Sequence, residues 1–306
     1  MPAFERPDVL VLGGGGILGE AWMSAVLAGI EEVAGFDPRG CEGFVGTSAG
    51  SIVAAALAGG VRADARLGDL PEQPVPDDGD HDGPADAGAN GSRRAGGVAA
   101  RAVRAGLATA AAPVAALALP TMAPGGALVR RLALGRVPRG TRSLGGMGRR
   151  IDSLGARFDG RLAVAAVDLG SGRRVMFGRP EAPAASVGQA VEASCAIPGV
   201  FRPVEIGGST YVDGGAWSPT NLDTANVKHG TRVLCLNPTG SIAALGLASQ
   251  SMARVEALVL ERRGAEVQLV APDEGSRAAL GNNLMDPSPR REVIAAGFEQ
   301  GRRLGS

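Results

Sequence analysis

The chain has 306 residues, enough for one large domain or two small ones with a real core. Its 31 basic and 31 acidic residues cancel to a formal charge of +0, which excludes a nucleic-acid binder that works by bulk electrostatics. Gly numbers 48, about twice the usual share, aromatics reach only 3%, and Lys228 is the sole lysine among the basic residues, a skew that reads as coding bias rather than function. Cys41, Cys195 and Cys235 form an odd set with no CxxC spacing, so neither a disulfide framework nor a thiolate zinc site is expected. No cluster of metal ligands is evident, and no cofactor is expected. The first residues lack a basic region followed by a long apolar stretch and a cleavage site, so the expected location is cytoplasmic.

In chain order, residues 8–12 predict a short buried strand that stops abruptly at Gly13-Gly14-Gly15-Gly16. A helix over 19–33 follows, with Trp22, Val26, Ile30 and Val33 on its apolar face and Glu31 and Glu32 toward solvent. A second strand at 43–45 runs into Gly46-Thr47-Ser48-Ala49-Gly50 and a small-residue helix over 51–58. This strand-helix alternation favours an α/β layer with parallel strands, whose ligand sites lie beyond the carboxyl ends of the strands. Both Gly-rich turns fall there.

The middle of the chain differs in kind. Residues 62–86 are crowded with Asp, Pro and Gly and show no apolar period, so 70–97 is expected to be mostly disordered. From 87 to 151 there is no acidic residue, while eleven arginines from Arg93 to Arg150 fall within it. The uncharged run at 105–129 has the length of a membrane span, but Gly106, Pro113, Pro120, Pro124, Gly125 and Gly126 interrupt it, and a transmembrane helix is rejected. Regular structure resumes with strands at 162–168 and 174–177, a helix at 189–194, and a strand at 209–212 that delivers Asp213-Gly214-Gly215. A strand at 232–236 precedes helices over 243–263 and 290–303 around a strand at 267–271.

Three patterns carry chemistry. Gly46-Thr47-Ser48-Ala49-Gly50 is G-x-S-x-G between a strand and a helix, where a sharp turn needs small neighbours and lifts a serine Oγ over the sheet. The plain alternative is a loop in which Ser48 only caps the helix. Gly14-x-Gly16-x-x-Gly19 also fits the dinucleotide fingerprint, but the second strand then lacks the acid that would hold a ribose. The same glycine amides, on Gly14, Gly15 and Gly16, suit an oxyanion beside Ser48. For a base, two arrangements stand open. The order Ser48, Asp213, His229 suits a hydrolase triad, whereas the Asp213-Gly214-Gly215 turn would place a carboxylate beside the elbow directly. Asp213 as an ordinary turn acid is the third possibility.

These motifs, in this order, resemble the three signature elements of the patatin-like phospholipases. Val167-Asp168-Leu169 and the block from Ala193 to Val204, Ala-Ser-Cys-Ala-Ile-Pro-Gly-Val-Phe-Arg-Pro-Val, are similar to further family segments. The resemblance implies a three-layer α/β/α fold with a mostly parallel central sheet. It implies a lipid acyl hydrolase with Ser48 as nucleophile, Asp213 as base and the amides of Gly14, Gly15 and Gly16 as oxyanion hole. Gly19, Gly46, Gly50, Gly214 and Gly215 then support the motifs, and no histidine is needed. A lipid-binding protein of the same fold without catalysis is the alternative from another class. Leu18 stands where many members have Arg. On this reading a hydrolase domain spans 8–236, interrupted by an insertion at 62–150, and 237–306 completes it. The basic part, 93–150, is expected either to lie on an anionic membrane, with the protein peripheral to it, or to form a lid or a solvated insertion.

Overall fold

The N-terminal apolar strand and the glycines after it set the layout. In the computed structural model, which describes residues 4–68, 126–241 and 246–306, β1 (Val9–Leu12) is fully embedded in the sheet, and α1 (Gly16–Ala34) starts three residues earlier than the pattern predicts. Every residue of α1 from Leu18 to Ile30 is buried except Glu20. Val33, expected on the apolar face, is instead 42% exposed, because the helix has passed the edge of the core by then. Glu31, expected in solvent, is half-buried and pairs with Arg62 at 2.8 Å.

Eight strands form one sheet in the order β5-β6-β3-β2-β1-β7-β8, with β4 also on β3. They are β2 (Gly43–Thr47), β3 (Leu162–Asp168), β4 (Arg174–Phe177), β5 (Val204–Ile206), β6 (Ser209–Asp213), β7 (Arg232–Leu236) and β8 (Glu266–Val270). The run β3-β2-β1-β7-β8 is parallel throughout, while β4, β5 and β6 pair antiparallel. The fold is therefore α/β with a mostly parallel central sheet. Val- and Leu-rich runs such as Leu-Ala-Val-Ala-Ala-Val in β3 are what a strand covered on both faces requires.

On one face, α1 packs with α2 (Ala49–Ala58) and α5 (Val187–Cys195) around Leu10, Leu12, Phe44, Leu162 and Val164. The other face, built on Val9, Val11, Val45, Ala163 and Cys235, is covered by α6 (Gly246–Glu261) through Ala257 and Leu260. The remaining helices are α3 (Gly126–Leu134), α4 (Gly145–Ser153), α7 (Glu274–Leu280) and α8 (Arg290–Gly305). Helix α5 begins two residues before the expected segment because Ser186 and Gln189 form a reciprocal capping box. Strand β5 has only three residues and α7 only seven, too few for a periodicity to register.

The segment expected to be disordered, 70–97, lies outside the described residues, as does 105–125 of the uncharged run. Residues 126–129 of that run open α3, and among the described residues no helix is long and apolar enough to cross a membrane.

Helix α8 closes over α1 at unusually short range. A Cβ on Gly301 would overlap the Val26 carbonyl, and one on Gly297 would sit 3.1 Å from Trp22 Cδ1. Trp22 Nε1 donates to Gln300 Oε1 at 3.0 Å, so the only polar atom of this buried indole is satisfied. Gly301→Ala is expected to cost about 1–3 kcal/mol by overpacking, measured as a lower urea midpoint. Gly40→Ala, where nothing lies within 4 Å of the new methyl, should leave the midpoint unchanged or raise it slightly.

Candidate active site

The register of β3 places two distant turns together. Val164 and Ala165 pair with β2 on one edge and with β4 on the other. Ala166 and Val167 pair with β4 and with β6. Strands β2 and β6 must then occupy the same edge of β3 in succession, and since β2 runs parallel and β6 antiparallel to β3, they meet head-on. Thr47, opposite Ala165, and Asp213, opposite Ala166, are the last residues of the two strands. Each strand's exit turn therefore opens onto the same spot.

At that spot Ser48 Oγ donates to Asp213 Oδ2 at 2.8 Å. Ser48 has φ 50 and ψ −122, a strained conformation for a residue with a side chain, and strain of this kind typically costs 1–3 kcal/mol. Two glycines make it possible. A Cβ on Gly46 would stand 2.5 Å from Ser51 Cα, and one on Gly50 would overlap the Leu12 carbonyl. The elbow is held from outside by Ser194, whose Oγ accepts from the Ser48 amide at 2.9 Å, and by Ser51, whose hydroxyl donates to the Ser48 carbonyl at 2.6 Å. Ser48 stands at the start of α2, where the helix field favours negative charge.

Asp213 is buried with two partners, the Ser48 hydroxyl on Oδ2 and the Gly215 amide on Oδ1 at 2.7 Å. Burial pushes its carboxyl up to about 6, and these two hydrogen bonds pull back only part of that rise. Gly214 and Gly215 are both required by space. A Cβ on Gly214 would overlap the Ala165 carbonyl, and one on Gly215 would lie 2.9 Å from Asp213 Oδ1.

The glycine loop needs one correction. The Gly14 amide donates to the Pro219 carbonyl at 2.8 Å, so it does not face a substrate. Gly15 and Gly16 open α1, where the first amides of a helix have no partner within it. A Cβ on Gly14 would lie at an ordinary contact distance, 3.6 Å, from Ser48 Cβ, so space alone does not require glycine there. Gly16 adopts φ +59, and the Leu284 carbonyl, which accepts from the Leu18 amide at 3.0 Å, packs against its back. Gly19 is a packing glycine: a Cβ would meet Pro238 at 3.0 Å.

His229 is not part of this site. It is exposed and precedes β7, whose register with β1 puts it at the end of the sheet remote from Ser48. The five residues of β7 alone span on the order of 17 Å. The triad with His229 is therefore excluded by topology, and His81 falls outside the described residues. The dinucleotide alternative also fails locally, because β2 ends in Thr47 and the elbow rather than in an acid. No group of three or more metal-ligating side chains occurs among the described residues.

The loop at 214–222 joins all parts of the site, and beyond Gly214 and Gly215 the sequence reading missed it. Pro219 receives the Gly14 amide, the Thr220 carbonyl accepts from Thr47 Oγ1 at 3.2 Å, and Asn221 Nδ2 donates to Thr47 Oγ1 at 3.0 Å. Asn221 itself sits at φ 50. Behind the loop, the buried carboxylate of Glu256 accepts from Thr220 Oγ1 at 2.6 Å and from the Leu222 amide at 2.9 Å, and burial pushes its carboxyl upward. Ser194, by contrast, lies within the Ala193 to Val204 segment that is similar to the family.

A serine on a strained elbow, hydrogen-bonded to a buried carboxylate and flanked by a glycine loop, forms a serine–carboxylate pair at the end of an α/β sheet. The chain belongs to the patatin-like phospholipase family, whose profile matches residues 10–226. No curated protein sequence matches it significantly. Among solved structures it is similar to VipD from Legionella pneumophila (TM-score 0.44, 17% identity, 98% of this chain and 67% of that one). It is also similar to the type III effector ExoU (TM-score 0.42, 16% identity, 99% and 53%). A third is ExoU in its heterodimeric complex with SpcU from the type III secretion system of Pseudomonas aeruginosa (TM-score 0.31, 22% identity, 96% and 53%). The chain spans about half the length of ExoU.

The raised Asp213 carboxyl has a consequence for stability. Folded Asp213 keeps its proton up to about pH 6, whereas an unfolded Asp releases it near 4, so stability is lost as pH rises through that window. Asp213→Asn removes this penalty. It is expected to be more stable than wild type at pH 7–8 by on the order of 2–3 kcal/mol, with the gap closing toward pH 4, as read by urea unfolding at both pH values.

Proposed function

We propose that the protein is a lipid acyl hydrolase that cleaves carboxylic esters through a Ser48 acyl-enzyme with Asp213 as base. The observation that carries this reading is the 2.8 Å hydrogen bond from Ser48 Oγ to the buried Asp213 carboxylate. Membership of the patatin-like phospholipases supports lipid esters, phospholipid or neutral lipid, as the substrate class.

Asp213 Oδ2 takes the hydroxyl proton as Ser48 Oγ bonds to the ester carbonyl carbon, and the displaced electron pair becomes an oxyanion held by the Gly15 and Gly16 amides. Collapse breaks the bond to the alkoxy oxygen, which leaves as the alcohol with the proton from Asp213. Water then attacks the acyl-enzyme, gives its proton to Asp213, and releases the carboxylic acid as Ser48 regains the proton. A free Asp, at about 3.9, is a weak base at neutral pH. Burial narrows that gap by moving Asp213 to about 6, while keeping it ionised at pH 7 and above.

Contact with an anionic membrane is the second half of the proposal. Helix α3 presents Leu128, Val129 and Leu132, each more than half exposed, beside the exposed Arg131 and Arg136. This combination suits a surface that is anionic outside and apolar beneath. The three cysteines are free and buried, in keeping with a reducing, cytoplasmic setting.

A fluorophosphonate probe is expected to label wild type and not Ser48→Ala. Asp213→Asn should lower kcat about 10²- to 10⁴-fold with the fold intact, and His229→Ala should leave it within about twofold. The acid limb of kcat/KM should report an apparent pKa of about 6. No labelling of the folded wild type, or full activity in Asp213→Asn, would sink the hydrolase reading. Co-sedimentation with anionic vesicles should weaken as salt rises, and salt-independent binding argues against the electrostatic contact.

A further inference from the structure

Helix α3 is the first described element after residue 125, and its Arg130 is fully buried, at 0% exposure. Taking a guanidinium out of water is costly unless its donors are met in good geometry. Here Nε donates to the Ala216 carbonyl at 3.0 Å and a terminal nitrogen donates to the Gly172 carbonyl at 2.8 Å. The guanidinium lies 4.0 Å from the centre of the Trp217 ring. Arg174, in a bidentate pair with Asp223 at 2.7 Å, approaches the same indole at 5.1 Å. Burial, with the nearby Arg174 charge, pushes Arg130 down to about 10, so it remains a cation at neutral pH.

The positions of these partners matter. Ala216 closes the short helical turn, Gly214–Ala216, that follows Asp213 directly, and Asp213 Oδ1 accepts from the Gly215 amide inside that turn. Gly172 belongs to the hairpin between β3 and β4, at the end of β3 that pairs with β6. Leu134, one turn further along α3, packs with Val167, Val212 and Ala216. A single side chain thus ties the turn behind the carboxylate to the strand that registers it.

We infer that Arg130 is a positioning residue for the proposed hydrolysis: it fixes the Gly214–Ala216 turn and, through it, the direction in which the Asp213 carboxylate meets Ser48. This rests on the dyad reading of the site. Arg130 touches no reacting atom, so its removal acts on the geometry of proton transfer and not on substrate affinity. A misplacement of about 1 Å at a reacting group costs on the order of 10²-fold.

The experiment compares full-length wild type, Arg130→Met and Arg130→Lys. Hydrogen exchange read by mass spectrometry is expected to speed up in peptides covering 213–218 in Arg130→Met and to stay unchanged in α1 and α2. The fluorophosphonate labelling rate of Ser48 and kcat for a soluble ester should fall about 10- to 100-fold, with KM within about twofold. Arg130→Lys, which keeps the charge but not the planar fork that spans both carbonyls, should recover part of the loss, as should added guanidinium ion with Arg130→Met. Unchanged exchange at 213–218, or kcat per folded molecule equal to wild type despite lower stability, would overturn the inference. If Arg130→Met does not fold, Arg130→Lys decides: wild-type exchange and wild-type kcat in that variant overturn it as well. Should wild type itself neither label nor hydrolyse, the hydrolase reading fails, while the exchange data still test the link between Arg130 and the turn.

Discussion

The whole site depends on one hydrogen bond, from Ser48 Oγ to Asp213 Oδ2, and on the strand geometry that makes it unavoidable. Two residues 165 positions apart meet because β2 and β6 share one edge of β3 and run toward each other. Neither turn has room to point elsewhere. Gly46 and Gly50 let the elbow press against β1 and α2, and Gly214 lets the second turn press against Ala165. The sheet register therefore acts as the positioning device, and the glycines are the consequence of how tightly it holds.

This arrangement is costly to fold and useful once folded. Ser48 is strained, Asp213 carries its charge in a buried place, and Glu256 and Arg130 add two more buried ionisable groups to the surrounding loop. The apolar core, with Leu10, Leu12, Leu18, Val26, Leu27 and Ile30 of β1 and α1 fully buried, is what offsets costs of this kind. The loop at 214–222 is where these buried groups converge, and it bonds to Asp213, to Thr47 before the elbow and to Gly14 of the glycine loop.

Much of this was legible before any coordinates. The strands at 162–168, 174–177 and 232–236 stand where their Val, Leu and Ala runs and flanking glycines put them. Gly-x-Ser-x-Gly between strand and helix, and Asp-Gly-Gly after a strand, pointed to Ser48 and Asp213 because sharp turns of that kind tolerate few other residues. Apart from the Ser48–Asp213 pair, what escaped depends on pairing between distant segments. Nothing local to Gly14 reveals that its amide is taken by Pro219, and nothing local to His229 reveals that it precedes β7 at the end of the sheet remote from Ser48. Arg130 looked like one arginine among eleven in a basic stretch, since burial of a charge is visible only once its carbonyl partners are in place.

The most direct test is a titration of the Asp213 carboxyl by ¹³C NMR, assigned by its disappearance in Asp213→Asn, in wild type and in Ser48→Ala. The account predicts a midpoint of about 6 in wild type, moving higher once the serine hydroxyl no longer stabilises the carboxylate. A midpoint near 4 that ignores the loss of Ser48 would show a solvated acid without a serine partner, and would contradict the account at its root.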